Sequence, residues 1–246
     1  MAAFEDIMGL DIPSFFRYVE TLRYGYQDKS GQLHFADDAD FTVRDYAFSS
    51  PEDVVKNNCG WCWDLAELIK VYCARHGLPC RSWFMEYLSD ELHQTHTQVF
   101  LRFQGKWCAA PENSLGLQLG TPGFNELTPC VSWFTGLFTE HLKSVLKDKF
   151  DEADLLVKEY TRTFSPGITD EEYLLQIRQG SLGIWSTYTN ENRNAAVDHT
   201  RLSTVGRSTL CRHGFRWQSE GRWLRCGLQK VAGRMDGRSQ SIGGQR

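Results

Sequence analysis

Residues 50 to 112 constrain the fold more than any other part of the chain. They open with a helix-start signal: Ser50 as N-cap, Pro51 at the first helical position, and Glu52 and Asp53 where the helix dipole favours acids. Next comes CWDLAELIKVYCARH (62 to 76), in which Leu65, Leu68, Ile69, Tyr72 and Cys73 form a wide apolar arc, stopped by Gly77 and Pro79. An arc of that width predicts a buried helix whose N-terminus alone meets solvent. Three extended segments follow in succession: RSWFMEYL (81 to 88), HTQVFLRF (96 to 103) and KWCAAPE (106 to 112). Gln104 and Gly105 between the last two suit a tight hairpin turn. A helix followed by consecutive antiparallel strands is an α+β arrangement, with the helix packed on an antiparallel sheet.

The flanking segments add helices. Phe15, Phe16, Val19, Leu22 and Tyr26 recur at helical spacing after Pro13 and Ser14, which predicts a helix over 12 to 25. Asp28 to Gly31 then reads as a turn between short extended pieces. Residues 138 to 150 predict an amphipathic helix through Leu142, Val145, Leu146 and Phe150, and 170 to 179 another, stopped by Gly180.

The 246 residues contain no run of ~18 apolar residues, which excludes a membrane-spanning helix. The opening twenty residues carry acids where a signal peptide needs a basic stretch, so the expectation is a cytoplasmic protein. Its net charge of −4 is unevenly spread: −11 over residues 1 to 189 and +7 over 190 to 246. The chain is therefore expected to comprise a body at 1–183 and a basic, Arg-rich extension at 184–246, poorly ordered for want of any sustained apolar period. Trp217 and Trp223 give that extension the chemistry to touch nucleic acid, but a terminal extension without that role is the preferred reading. Most of the eight cysteines, at 59, 62, 73, 80, 108, 130, 211 and 226, are expected to be thiols.

Three features line up as nucleophile, base and carboxylate. Cys62, in Gly60-Trp61-Cys62-Trp63-Asp64, stands at a helix N-terminus, where N–H groups and the dipole favour thiolate. His96 heads an extended segment, and Glu112 lies across the hairpin, where position 96 faces roughly 113. Such an acid would orient the imidazole and stabilise its cation, which in turn pairs with a thiolate. Trp61 and Trp63 are candidates for the walls of a substrate cleft, and Asn57 or Asn58, with the Cys62 N–H, for an oxyanion site.

The segments SSPEDVVKNNCGWCWDLAELIKVYCARHGLP, THTQVFL and KWCAAPENSLG together resemble the transglutaminase-like proteins of the papain-like cysteine enzyme superfamily. The resemblance spans about residues 15 to 150 and is nearest to a bacterial-type subgroup with C-W-D, T-H-T and a glutamate after the strand tryptophan. It implies a papain-like core, Cys62 as nucleophile, His96 as general base and Glu112 as orienting acid. Relatives that carry Asp soon after the tryptophan align it with Ala109 or Ala110 instead. The implied activity is acyl transfer on peptide or side-chain amides through a thioester, without a cofactor, on a peptide or protein substrate. Two rivals stand beside it. Cys59, Cys62, His93 and His96 are ligand types that zinc accepts, and the same scaffold without catalysis would be a binding module.

Overall fold

The computed structural model describes residues 3–38, 45–161 and 163–179, with the backbone of two further strands, Phe215–Gln218 and Arg222–Arg225. A short helix, α1 (Phe4–Met8), leads into α2 (Ile12–Thr21), which starts where Asp11 accepts the Ser14 N–H at 2.8 Å and Pro13 occupies the first turn. This helix ends before Leu22 and Tyr26, contrary to the periodicity. From Arg23 the chain is strand β1 (Arg23–Asp28), which pairs antiparallel with β2 (Leu33–Phe35) and β3 (Tyr46–Ala47). Strand pairing outweighs helical spacing here, and Gly25 permits it: a Cβ at that position would lie 2.2 Å from the His34 carbonyl oxygen. The turn expected at 28 to 31 forms around Asp28 Oδ1, which accepts the Ser30 and Gln32 N–H groups.

Ser50 caps α3 (Pro51–Asn57) as its sequence requires, accepting the Asp53 N–H at 3.0 Å. Asn58 ends α3 in the left-handed region (φ 49°), turning the chain into β4 (Cys59–Gly60), parallel to β1. Helix α4 (Cys62–Arg75) follows, closed by Gly77 at φ 63°. Then β5 (Cys80–Leu88), β6 (His93–Phe103) and β7 (Lys106–Ala109) run as an antiparallel meander, with Gln104 and Gly105 both at positive φ, as a two-residue hairpin turn demands. Two limits differ from expectation. β6 starts at His93, so His96 lies inside the strand rather than at its head. β7 stops at Ala109, because Pro111 has no N–H to continue the ladder.

Helix α5 (Leu127–Leu146) starts well before residue 138, and β8 (Leu155–Tyr160), not read from the sequence, pairs with β5. α6 (Asp170–Gln179) forms where expected. The resulting sheet, ordered β7-β6-β5-β8, is wholly antiparallel and lies between two helical layers. On one face α4 packs Leu65, Leu68, Ile69, Tyr72 and Cys73 against Val99, Leu101 and Cys108, with the Phe15 ring of α2 stacked 3.6 Å from Tyr72. On the other, α5 packs Cys130, Val131, Phe134, Phe138 and Leu142 against Trp83, Met85, Tyr87 and Phe100. The fold is thus α+β.

Among the described residues no helix is long and apolar enough to cross a membrane. In the basic extension β9 (Phe215–Gln218) and β10 (Arg222–Arg225) pair as an antiparallel ribbon. The rest of 184–246, on which the expectation of poor order rests, lies outside the described residues.

Candidate active site

Cys62 is the first residue of α4, and the chain before it is fixed by Asp64, two residues on. One Asp64 carboxylate oxygen accepts the Trp61 N–H at 3.0 Å; the other accepts the Tyr46 hydroxyl at 2.7 Å and the Ser49 N–H at 2.9 Å. Asp64 therefore ties β3, the approach to α3 and the start of α4 to one buried group, a larger role than a helix-end charge. Burial pushes its carboxyl up to about 6, against the pull of these three donors.

The helix start does not meet solvent, in contrast to the expectation: Cys62 is 1% exposed, Trp63 3% and Asp64 0%. An aromatic layer closes over it. Trp61 packs on Tyr24, Tyr26 and Tyr46, and Trp63 stacks on Tyr173 of α6 with ring centroids 4.1 Å apart. The two tryptophans enclose the thiol rather than open onto a cleft. Burial holds the Tyr46, Tyr160 and Tyr173 hydroxyls protonated, the Tyr160 and Tyr173 hydroxyls interact with each other, and all three lie near enough to Cys62 for a thiolate there to reinforce this. Asn58, a candidate oxyanion donor, is exposed, its conformation serving the α3 cap, and the Asn57 amide donates to Gln27 at 3.1 Å. The phenols around Cys62, drawn from 46, 160 and 173, went unread because one was assigned to no element and the others lie on β8 and α6, far along the chain.

His96 and Glu112 do come together, with Nε2 3.4 Å from Oε1. The contact is not aligned as a hydrogen bond, and Nε2 makes none. Ser114 donates to the same Glu112 oxygen at 2.8 Å. Burial lowers the imidazole to about 4 and raises the carboxyl to about 8, so at neutral pH both are driven towards their uncharged forms and away from an ion pair.

Strand alternation separates this pair from the thiol. Thr97 reaches the Tyr173 hydroxyl at 3.1 Å on the α4 face, so its neighbour His96 points to the α5 face, where its ring stacks on Phe134 at 5.5 Å and Phe138 at 6.3 Å. Thiol and imidazole are thus turned to different sides of the sheet. Where β7 ends, however, the two sides meet. The Ala110 N–H makes the last ladder bond, to Val99 at 2.8 Å, and beyond it Glu112 touches His96 while Asn113 Nδ2 donates to the Gly60 carbonyl at 3.4 Å and to Leu22 at 3.0 Å. Consecutive residues therefore contact the imidazole and the nucleophile's own loop. Asn113 was not singled out in the sequence, where it reads only as the residue after Glu112.

The zinc ligands are not assembled. His93, outside the extended segments read from the sequence, begins β6 and pairs with Glu86 at 2.7 Å on the α4 face, opposite to His96. Burial raises the Glu86 carboxyl, but hydrogen bonds from His93 and Arg178 outweigh it and hold it below its usual range. Burial, then Asp64, pushes the Cys59 thiol up to about 12. Among the described residues no group of three or more His, Cys, Asp or Glu is placed to hold a metal.

The buried carboxyl gives a measurable pH signature. Glu112 holds in the folded chain a proton that the unfolded chain releases above about 4.5, so its contribution falls as pH rises from there to about 8. His96 acts oppositely, costing stability as pH drops from 6.5 towards 4. Between pH 6.5 and 8 only the glutamate of this pair changes, by roughly 2 kcal/mol. Thermal melts of wild type should decline across that window and those of Glu112→Gln should stay flat; equal slopes would mean that Glu112 is ionised.

Compared with protein families and with curated proteins, the chain matches no family model and no curated protein.

Proposed function

We propose that this chain is a thiol-dependent acyl-transfer enzyme built on a transglutaminase-like, papain-like core, with Cys62 as nucleophile, His96 as base and Glu112 as its carboxyl partner. The observation that carries the reading is the Glu112-Asn113 bridge, which brings the imidazole's partner and the nucleophile's loop to one edge of the sheet. Cys62 attacks a peptide or side-chain amide carbonyl, and the tetrahedral oxyanion is met by the Cys62 N–H and the nearby Tyr160 hydroxyl. Collapse leaves a thioester, His96 protonates the departing amine, and the same imidazole then activates the acceptor. Water as acceptor makes the enzyme a peptidase or amidase and an amine makes it a cross-linker; hydrolysis is preferred. For this chemistry His96 must leave Phe134 and reach the thiol past the edge that β7 leaves uncovered.

A second reading, a non-catalytic binding module on the same scaffold, is favoured by one observation: the imidazole is neutral, buried and stacked on α5 rather than on the thiol. Labelling with a thiol-directed acyl probe separates the two. An enzyme takes the probe at Cys62 with a midpoint below pH 7, loses it in Cys62→Ala and slows in Glu112→Gln. Tyr173→Ala removes the ring stacked on Trp63 and should hasten labelling. A Cys62 that reacts in neither wild type nor Tyr173→Ala, or only at the pH of an ordinary thiol, leaves the module as the answer.

A further inference from the structure

Away from Cys62 the chain holds a second thiol arrangement. Cys73 lies in the last turn of α4 and Cys80 opens β5, and the connection between them folds back tightly: the Leu78 N–H bonds the Cys73 carbonyl at 2.8 Å, Gly77 adopts φ 63°, and the Pro79 carbonyl accepts the Arg102 N–H at 2.9 Å. Both side chains turn into the same apolar cluster, with Val99, Leu101 and Cys108 around them. The two thiols interact there, the Cys73 thiol donating towards the Cys80 sulfur, which favours the proton on Cys73 and the thiolate on Cys80. They differ in access. Cys73 is fully buried, while Cys80 is partly exposed, with Lys70 and Arg81 close enough to favour a thiolate. No other described cysteine combines these features. Cys59 and Cys130 are pushed up to about 12 by burial, and the Cys108 thiol is directed at the Leu101 carbonyl.

We propose that Cys73 and Cys80 form a redox-responsive dithiol that closes to a disulfide when a hydroperoxide reaches Cys80. The Cys80 thiolate attacks one peroxide oxygen; the O–O bond breaks, Cys80 becomes a sulfenic acid, and the departing hydroxide takes up a proton to leave as water. Cys73 sulfur then attacks the sulfenic sulfur, forming the S–S bond as the hydroxyl leaves with the Cys73 proton as a second water. Two thiols lose two electrons and two protons, and hydrogen peroxide becomes two waters. The buried member resolves the exposed one with little movement, because the tight connection from 73 to 80 brings both side chains into one cluster. The bond would tie the C-terminal end of the helix that begins with Cys62 to the start of β5. This site is independent of the acyl-transfer reading.

The full chain, treated with hydrogen peroxide, blocked with N-ethylmaleimide and digested with trypsin, tests it. Cleavage after Lys70, Arg75 and Arg81 puts the two cysteines on separate short peptides, 71–75 and 76–81. The expected result is a linked pair of these peptides, two hydrogens lighter than their sum, with loss of maleimide from both and recovery after dithiothreitol. Cys73→Ser should instead leave a Cys80 sulfenic acid that dimedone traps, and Cys80→Ser should abolish the link. Maleimide still taken up by both peptides after peroxide overturns the proposal, as does linkage of Cys73 to Cys108, or trapping at Cys80 that is the same with and without Cys73.

Discussion

Cys62→Ala is expected to abolish the burst of nitrophenol that the wild-type chain releases from p-nitrophenyl acetate, and to lower turnover by roughly three to six orders of magnitude. A small activated ester is the suitable probe because it needs no specific cleft, only a nucleophilic thiol that it can reach. His96→Ala tests the harder part of the proposal. General-base help is worth about 10²–10⁴ in rate, so acylation should slow by that factor if the imidazole serves the thiol. The double variant should be no slower than Cys62→Ala, since nucleophile and base act as one unit. A purely structural His96, held between Phe134 and Phe138, predicts a different pattern: the variant melts earlier but its acylation rate per folded molecule is unchanged. An unchanged rate would withdraw His96 from the mechanism and leave Cys62 without its base.

Why the sequence left the facing of His96 open is instructive. In β6 the residues towards α4 are Thr97, Val99 and Leu101, and those towards α5 are His96, Gln98 and Phe100, so both faces carry apolar side chains and both are buried. A strand covered on two sides has no clear polar alternation, and nothing local then tells which face meets the nucleophile's helix. The same two-sided burial hid β8. By contrast, the features that depend on a few adjacent residues were legible: the Ser50-Pro51 helix start, the Gln104-Gly105 turn and the Asp28 loop follow from capping and left-handed backbone geometry alone. Tyr26 failed in the opposite sense. Its helical spacing from Phe15, Phe16 and Val19 was real, but partners from β2 and β3, remote in sequence, captured the segment as a strand. The candidate site divides likewise. His96 and Glu112 adjoin because a two-residue turn forces it, whereas the burial of Cys62 depends on Tyr173, more than a hundred residues away.

Asp64→Ala should be among the most destabilising single substitutions in the body, costing about 3–5 kcal/mol. The variant leaves three buried donors, the Trp61 and Ser49 N–H groups and the Tyr46 hydroxyl, facing an empty space. Each such group costs roughly 1–3 kcal/mol when unsatisfied, and the sum is reduced because a buried carboxylate is itself expensive. For a body of this size the melting temperature should drop by about 10 °C. The sign of the pH dependence follows from the raised carboxyl: the folded chain keeps its Asp64 proton up to about 6, the unfolded chain only to 3.8, so the stability that Asp64 supplies is greatest below 3.8 and declines as pH climbs to 6. The gap between wild type and variant should accordingly be wider at pH 4 than at pH 7. Asp64→Asn keeps the volume but can turn an amide donor towards one of the three donors, and should fall between the two. Because the Trp61 N–H sets how the chain enters α4, the same variant should also scatter the position of Cys62 and slow its acylation even in molecules that remain folded. A melting temperature within a degree or two of wild type would mean that the three donors find other acceptors, and that the helix start is held by its aromatic neighbours instead.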